Sequence, residues 1–429
     1  MNELSIFTAA TIIISLAAIF GYINYKFLKL PHTIGMVIIA LFASLGVLGI
    51  NEIAPQLGIE DNVRGFISGI DFHDILMEGM LSFLLFAGAL HVNLDELVSR
   101  KWAIGSLATI GVLISTFLVG TFTWLIASAI GLNTPFIWCL VFGSLIAPTD
   151  PVAVLGILKS VKIPKSLVAK IAGESLFNDG VGIVIFLIVV AIAVSITDPT
   201  GQIPTPEVID VIILFCQEAL GGAALGLACG LIAYFLIRTV NEHNIEVLLT
   251  LALVMGTYAI ATALHLSGPI AVVIAGLLIG NHGKRFAMQE KTRDHVSKFW
   301  SLLDEIMNSI LFLLIGFEVL ALSWSNNVVI FALLAIPIAL FSRFISVATP
   351  LSLLKLRKEF TKGAIPVLAW GGLKGGISVA LALSLPEGPY KSAILAATYA
   401  VVIFSIVFQG LTVGHVVRIS LKRVSKNNP

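Results

Sequence analysis

The sequence predicts an all-α polytopic membrane protein of about thirteen transmembrane helices, built as inverted repeats with two crossing discontinuous helices. Three observations predict it. Apolar runs recur from end to end: 58% of the 429 residues are hydrophobic, 12% are charged, and the mean hydropathy is +1.01, against about 25% charged residues in a soluble domain. The basic residues divide sharply between the two sides of the membrane. Two of the apolar runs are interrupted by residues that a continuous helix does not tolerate.

The runs are unbroken rather than alternating, and far longer than the roughly ten-residue strands of a membrane barrel. A crossing needs about 20 apolar residues, and spans read at 5–28, 32–50, 74–92, 103–130, 135–158, 166–197, 208–237, 245–264, 268–281, 299–322, 327–354, 363–385 and 391–417. The ninth is short and opens on Gly268-Pro269. With the span edges taken as soft, 22 of the 26 Lys and Arg residues count to the odd-numbered loops and the C-terminal tail. Arg64 and Lys391 lie on the other side, and Arg343 and Lys374 lie within spans. The positive-inside rule then puts the N-terminus outside and the C-terminus in the cytoplasm. Met1–Ser5 lacks the basic stretch of a cleavable signal, because Lys26 and Lys29 follow the first run instead.

Span 5 carries Ala147-Pro148-Thr149-Asp150-Pro151. Two prolines three apart remove backbone donors and clash with preceding carbonyls, so the helix breaks there. Span 12 carries Trp370-Gly371-Gly372-Leu373-Lys374-Gly375-Gly376, where four glycines around a lysine give a second break. The two spans are seven apart, an odd offset that reverses direction across the membrane. This predicts inverted repeats of spans 1–6 and 8–13 with span 7 as linker, and paired interruptions in two halves point to a transporter binding site. Half-helix ends carry partial charges, which Asp150 and Lys374 are suited to offset.

Between the breaks in sequence lies Gly173-Glu174-Ser175-Leu176-Phe177-Asn178-Asp179-Gly180, inside an apolar run. A carboxylate in hydrocarbon costs roughly 2.5–3.5 kcal/mol on insertion scales, so it survives there beside a partner or a wet cavity. At a 1.5 Å rise per residue, Asp150 and Glu174 lie roughly 14 Å from the cytoplasmic ends of their spans, Arg343 and Lys374 roughly 18 Å, and Asp179 roughly 21 Å. The hydrocarbon core is about 30 Å thick, so five charges converge near its middle. Glu174 and Asp179 are five apart, about 140° around the helix, and take different partners. Glu174 matches the depth of Arg343, which cannot deprotonate, and the two read as a structural ion pair. Asp179 is left without a fixed cation. Ser175 sits one turn before it. Together with backbone carbonyls at the break near Thr149 these make a hard oxygen site for a small cation, for which protons compete.

The three stretches Ala147–Pro151, Gly173–Gly180 and Trp370–Gly376 resemble the NhaP/NHE-type sodium/proton antiporters of the cation:proton antiporter-1 family. The resemblance covers nearly the whole chain. It implies the NhaA-like antiporter fold and a homodimer. Spans 1–3 and 7–10 (about 1–100 and 208–322) would form a dimer or scaffold domain. Spans 4–6 and 11–13 (about 103–197 and 327–417) would form an ion-binding core that moves like an elevator. It implies that Asp179 binds cation and proton in turn, that Thr149, Ser175 and Asn178 belong to the Na+ site, and that Asn178 replaces a second carboxylate, making exchange electroneutral. Glu174 and Arg343 would be the stabilising pair. The chain departs from the family pattern at Lys374, where many members have arginine, and at Phe86-Ala87-Gly88, where many bacterial members have a glutamate.

Other polar residues read more plainly. Glu52, Glu60, Asp61 and Asp71 belong to an outer connection between spans 2 and 3. Glu78 and Glu318 read as interfacial, Asp304 and Glu305 as the rim of an inner funnel or a solvated helix end, and Trp102, Trp300 and Trp324 as interface anchors. Gly222, Gly226 and Gly230 suit either packing within the chain or a dimer contact. His243, His282 and His295 read as loop histidines, and Cys139, Cys216 and Cys229 as buried thiols without metal spacing. A net charge of +1 gives no basis for nucleic-acid binding. No phosphate-binding loop is present to drive a primary pump, and no metal motif or Ser/Lys dyad marks an intramembrane enzyme. The reading is therefore a secondary Na+ (or Li+) exchanger against protons in the plasma (inner) membrane, serving pH homeostasis without a cofactor. A K+/H+ exchanger of the same fold is the alternative, and an ion channel is less favoured.

Overall fold

In the computed structural model, residues 6–58, 63, 65, 75–150, 154, 164–198, 204, 207–321, 325–355 and 363–426 are described, and every regular element among them is helical. Pro151, Glu60, Asp61, Asp71, Trp324 and the Glu78 side chain lie outside the described residues. So do Arg64, Lys159, Lys162, Arg357, Lys358 and Lys362 from the charge comparison.

The main helices are α1 (Phe7–Leu28), α2 (His32–Ile53), α3 (Ile75–His91), α4 (Lys101–Ala129), α5 (Phe136–Ile146), α6 (Lys165–Thr197) and α7 (Ile209–Arg238). They continue as α8 (His243–Ala263), α9 (Gly268–Leu278), α10 (Glu290–Glu318), α11 (Asn326–Lys355), α12 (Ala364–Trp370), α13 (Gly376–Leu383) and α14 (Lys391–Ser420). Among the described residues nine helices are long and apolar enough to cross a membrane. Starts follow local chemistry. Pro31, Pro135 and Pro164 stand just before α2, α5 and α6, where an absent N–H leaves no helical bond unmade. Ser267 caps α9 by accepting from the Ile270 N–H, with Pro269 in the first turn. Several helices contain π turns, among them Leu107–Gly111 in α4 and Ser405–Gln409 in α14. Such turns often mark functional positions.

The molecule is apolar outside and polar within. Phe42, Phe117, Phe235, Leu333 and Phe408 are exposed, while Thr149, Glu174, Asn178, Asp179, Arg343 and Lys374 are buried. That distribution suits a hydrocarbon solvent. Helix α4 packs on α5 and α11, α11 on α14, and α6 on α5. Elsewhere α10 packs on α2 and α3, and α9 on α3, α7 and α8.

The stripe Gly222, Gly226 and Gly230 serves packing within the chain, the first of its two readings: a Cβ on Gly226 would meet the Ala271 backbone, so α7 and α9 approach because these residues lack one. Three expectations need correction. Trp300 is no interface anchor. It is 0% exposed, its Nε1 donates to Thr250 Oγ1 at 3.0 Å, and its ring lies 4.6 Å from that of Phe86. Glu318 is buried rather than interfacial, and Cys216 is exposed rather than buried. In each case a face was misjudged, because a run that is apolar all round does not reveal which side meets protein.

Candidate functional site

Two helices stop short at the centre. Helix α5 ends at Ile146, with Ala147 as its cap, and Pro148, Thr149 and Asp150 follow without helical structure. Helix α12 ends at Trp370, and α13 begins at Gly376 after Gly371–Gly375. The interruptions meet. Asp150 N donates to Leu373 O at 2.7 Å. Lys374 Nζ donates to Ala147 O at 3.0 Å and Pro148 O at 3.2 Å, placing an ammonium on the carbonyl end of α5, the negative pole of the half-helix. The Asp150 carboxylate lies against Gly375, where a Cβ would overlap it, one residue before α13 begins. A carboxylate there faces the positive pole of that half-helix. The Lys374 N–H donates to Ser405 Oγ at 2.9 Å, and Ser405 Oγ donates to Gln409 Oε1 at 2.6 Å, so the π turn of α14 holds the second interruption.

Helix α6 supplies the other wall. Thr149 Oγ1 and Ser175 Oγ are 3.0 Å apart in a hydrogen bond. Asn178 grips the same threonine twice: its Nδ2 donates to Thr149 Oγ1 at 2.9 Å, and its Oδ1 accepts from Thr149 N at 3.3 Å. An amide is the side chain that both donates and accepts here. Asp179 follows on α6. It is 3% exposed, and its Oδ1 is buried with no hydrogen-bond partner among the described residues. A buried, unpartnered charged oxygen costs several kcal/mol. It lines a cavity of about 70 Å³ with Thr149, Asp150, Leu176, Asn308, Gly375 and Ser378. A water needs roughly 10–15 Å³ measured in this way, so the space is large enough for a small cation with several waters.

Glu174, one turn from Asn178, points elsewhere. Arg343 Nη1 on α11 donates to Glu174 Oε1 at 2.5 Å, and Nη2 donates to Leu368 O at 3.0 Å. The two side chains are 8% and 1% exposed. Ala87 is buried in α3 and brings no oxygen, while its neighbour Gly88 lines the cavity.

The cavity also contains a residue that sequence reasoning passed over. Asn308 sits on α10, more than a hundred residues from α6 in sequence. Its only signal was an amide one helical turn after Asp304 inside an apolar stretch. Ser405 and Gln409 were passed over too, because nothing in the sequence of α14 ties them to α12. Asp304 lies one turn from Asn308 and is partly buried, and Glu305 is exposed; the rings of His243 and His295 stack with centroids 4.4 Å apart, and neither residue lines this cavity.

Residues 13–419 match the family model described as sodium/hydrogen exchanger, transmembrane. The chain is 47% identical over 411 residues to the Na(+)/H(+) antiporter NhaP of Pseudomonas aeruginosa, covering 94% of this chain and 95% of that one. It is 32% identical over 390 residues to the Na(+)/H(+) antiporter NhaH of Halobacillus dabanensis, covering 90% and 91%. Its fold is similar to that of the sodium proton antiporter MjNhaP1 from Methanocaldococcus jannaschii, solved at pH 8, with a TM-score of 0.74, 20% identity, and coverage of 97% of this chain and 100% of that one.

Proposed function

Because this chain belongs to the sodium/hydrogen exchanger family, we propose that it is a secondary antiporter exchanging Na+ (or Li+) for H+ by alternating access at Asp179. The observation that carries the reading is a buried carboxylate oxygen without a hydrogen-bond partner among the described residues, on a residue that lines a cavity at the crossing of two broken helices. Such a group is stabilised by a proton or by a cation, and one occupant excludes the other. That exclusion is the coupling. Thr149 and Ser175 lend hydroxyl oxygens to the cation, and Asn178 fixes Thr149 while adding no second titrating charge, so the cycle is electroneutral. Lys374 and Asp150 offset the half-helix poles, and Glu174 with Arg343 holds α6 to α11.

Thirteen crossings make up the protein, with the N-terminus outside and the C-terminus cytoplasmic, in the plasma (inner) membrane. Helices 1–3 and 7–10 form the scaffold of a homodimer, and the helices of spans 4–6 and 11–13 form the moving core. The buried polar centre and the apolar exterior support this arrangement.

The test is proton flux from proteoliposomes driven by Na+, Li+ and K+ in turn. Na+ and Li+ drive saturable proton movement obligatorily coupled to cation uptake, and Asp179→Asn abolishes it while the protein stays folded. Full exchange by Asp179→Asn would remove the basis for the reading, and flux that neither saturates nor needs a counter-ion would point to a channel.

A further inference from the structure

Resting on that reading of Asp179, we propose that Asn308 is a further cation-coordinating residue of the same cavity, offering its side-chain carbonyl oxygen from α10 while Asp179 faces the space from α6. Asn308 is 4% exposed and lines the cavity. Its orientation is fixed by chemistry. Nδ2 donates to Asp304 O at 2.8 Å and to Asp304 Oδ1 at 3.0 Å. Both partners are acceptors, so the NH₂ end of the amide must face Asp304. Oδ1 therefore turns the other way, and among the described residues both hydrogen bonds of this side chain are made by Nδ2.

Asp179 and Asn308, from different helices, thus line one small space, Asp179 with an Oδ1 that has no hydrogen-bond partner among the described residues and Asn308 with its donor end turned to Asp304. Two acceptors facing a shared volume are stabilised by an occupant that is positive. Amide carbonyls are hard ligands that suit small alkali cations. A neutral amide also leaves proton binding to Asp179 alone. Asn308 accordingly sets how tightly the cation is held without changing the proton it competes with. Asp304 acts through Asn308 as a positioning residue.

The test uses the full chain in proteoliposomes, with Na+ and Li+ titrated at fixed pH. Asn308→Ala raises the apparent KM for Na+ about tenfold, as the loss of one oxygen of charged-ligand strength implies. The maximal rate at saturating Na+ changes less than the KM. Asn308→Ser, a smaller residue that keeps an oxygen, gives an intermediate KM and serves if the alanine variant folds poorly. Asp304→Ala also raises the KM, and Asp304→Asn, which restores an acceptor for Nδ2, brings most of the affinity back. An unchanged KM in Asn308→Ala or Asn308→Ser would overturn the inference while leaving the exchange reading intact. So would an Asp304→Asn variant as impaired as Asp304→Ala, because charge rather than amide orientation would then be at work. Absent Na+-driven flux in the wild type, or an active Asp179→Asn, would overturn both.

Discussion

Replacing Glu174 by Leu or Arg343 by Met should each cost far more stability than replacing both together. The two side chains are 1% and 8% exposed, and they are joined by Arg343 Nη1 at 2.5 Å from Glu174 Oε1. After Glu174→Leu the guanidinium keeps its bond to Leu368 O but has lost its counter-charge in a medium that cannot replace it. Breaking a buried pair from one side costs about 3–5 kcal/mol, whereas exchanging both partners for apolar residues of similar volume is often neutral or stabilising. The double variant should therefore recover most of what either single loses, a coupling of about 3 kcal/mol or more. A third arm comes from Gly372. A Cβ there would meet Arg343 Nε and Cζ, so Gly372→Ala should displace the guanidinium and reproduce part of the single-variant loss. Thermal unfolding in detergent, followed by tryptophan fluorescence for all five proteins, measures these differences. Singles as stable as the wild type, or a double variant whose loss equals the sum of the singles, would refute the assignment of the pair as a buried stabilising link.

Two further outcomes follow from the crossing. Gly375→Ala places a methyl group on the Asp150 carboxylate, so exchange should fall at least tenfold, about 1.4 kcal/mol, without loss of expression; proteoliposome flux beside a size-exclusion profile checks it, and normal flux would mean that Asp150 is free to move aside. Asn178→Asp keeps the acceptor for Thr149 N but cannot donate to Thr149 Oγ1, and the lost bond is worth about 0.5–1.5 kcal/mol. The expected result is a raised KM for Na+ and a flux that responds to an imposed membrane potential; a variant with wild-type KM and no voltage response would contradict the role given to the amide.

The sequence carries the helices clearly because hydropathy is a one-dimensional signal, and a helix is the simplest way to satisfy backbone groups in lipid. The breaks were legible for a related reason: Pro148 and the glycines around Lys374 act on their own backbone. What touches what was less legible. Depth along each helix puts Arg343 near Glu174, Asp150 and Asp179 alike, and the packing of α11 against α12, with Arg343 Nη2 held on Leu368 O, makes the choice. Lys374 was assigned to helix poles in general, whereas its actual acceptors are two named carbonyls. Asn308 and Ser405 were missed because their significance lies in helices far away in the chain. Trp300 was given the wrong surroundings for the same reason. An apolar helix looks alike on its lipid face and its protein face, and the difference exists only once its neighbours are in place.

The bonds from Lys374 Nζ to Ala147 O and Pro148 O join residues 227 and 226 positions apart. Chains are made at about 5–20 residues per second, N-terminus first, so these carbonyls emerge roughly 10–45 s before the ammonium that will cover them exists. During that interval the end of α5 cannot settle into lipid, where an unsatisfied carbonyl costs several kcal/mol. It must stay near water or in the insertion machinery until the last eighth of the chain arrives. Biogenesis therefore runs against the order of the sequence: the centre of the molecule, first begun with α5, is the part completed last. A ribosome stalled before residue 374 would hold an otherwise inserted protein whose middle is still open.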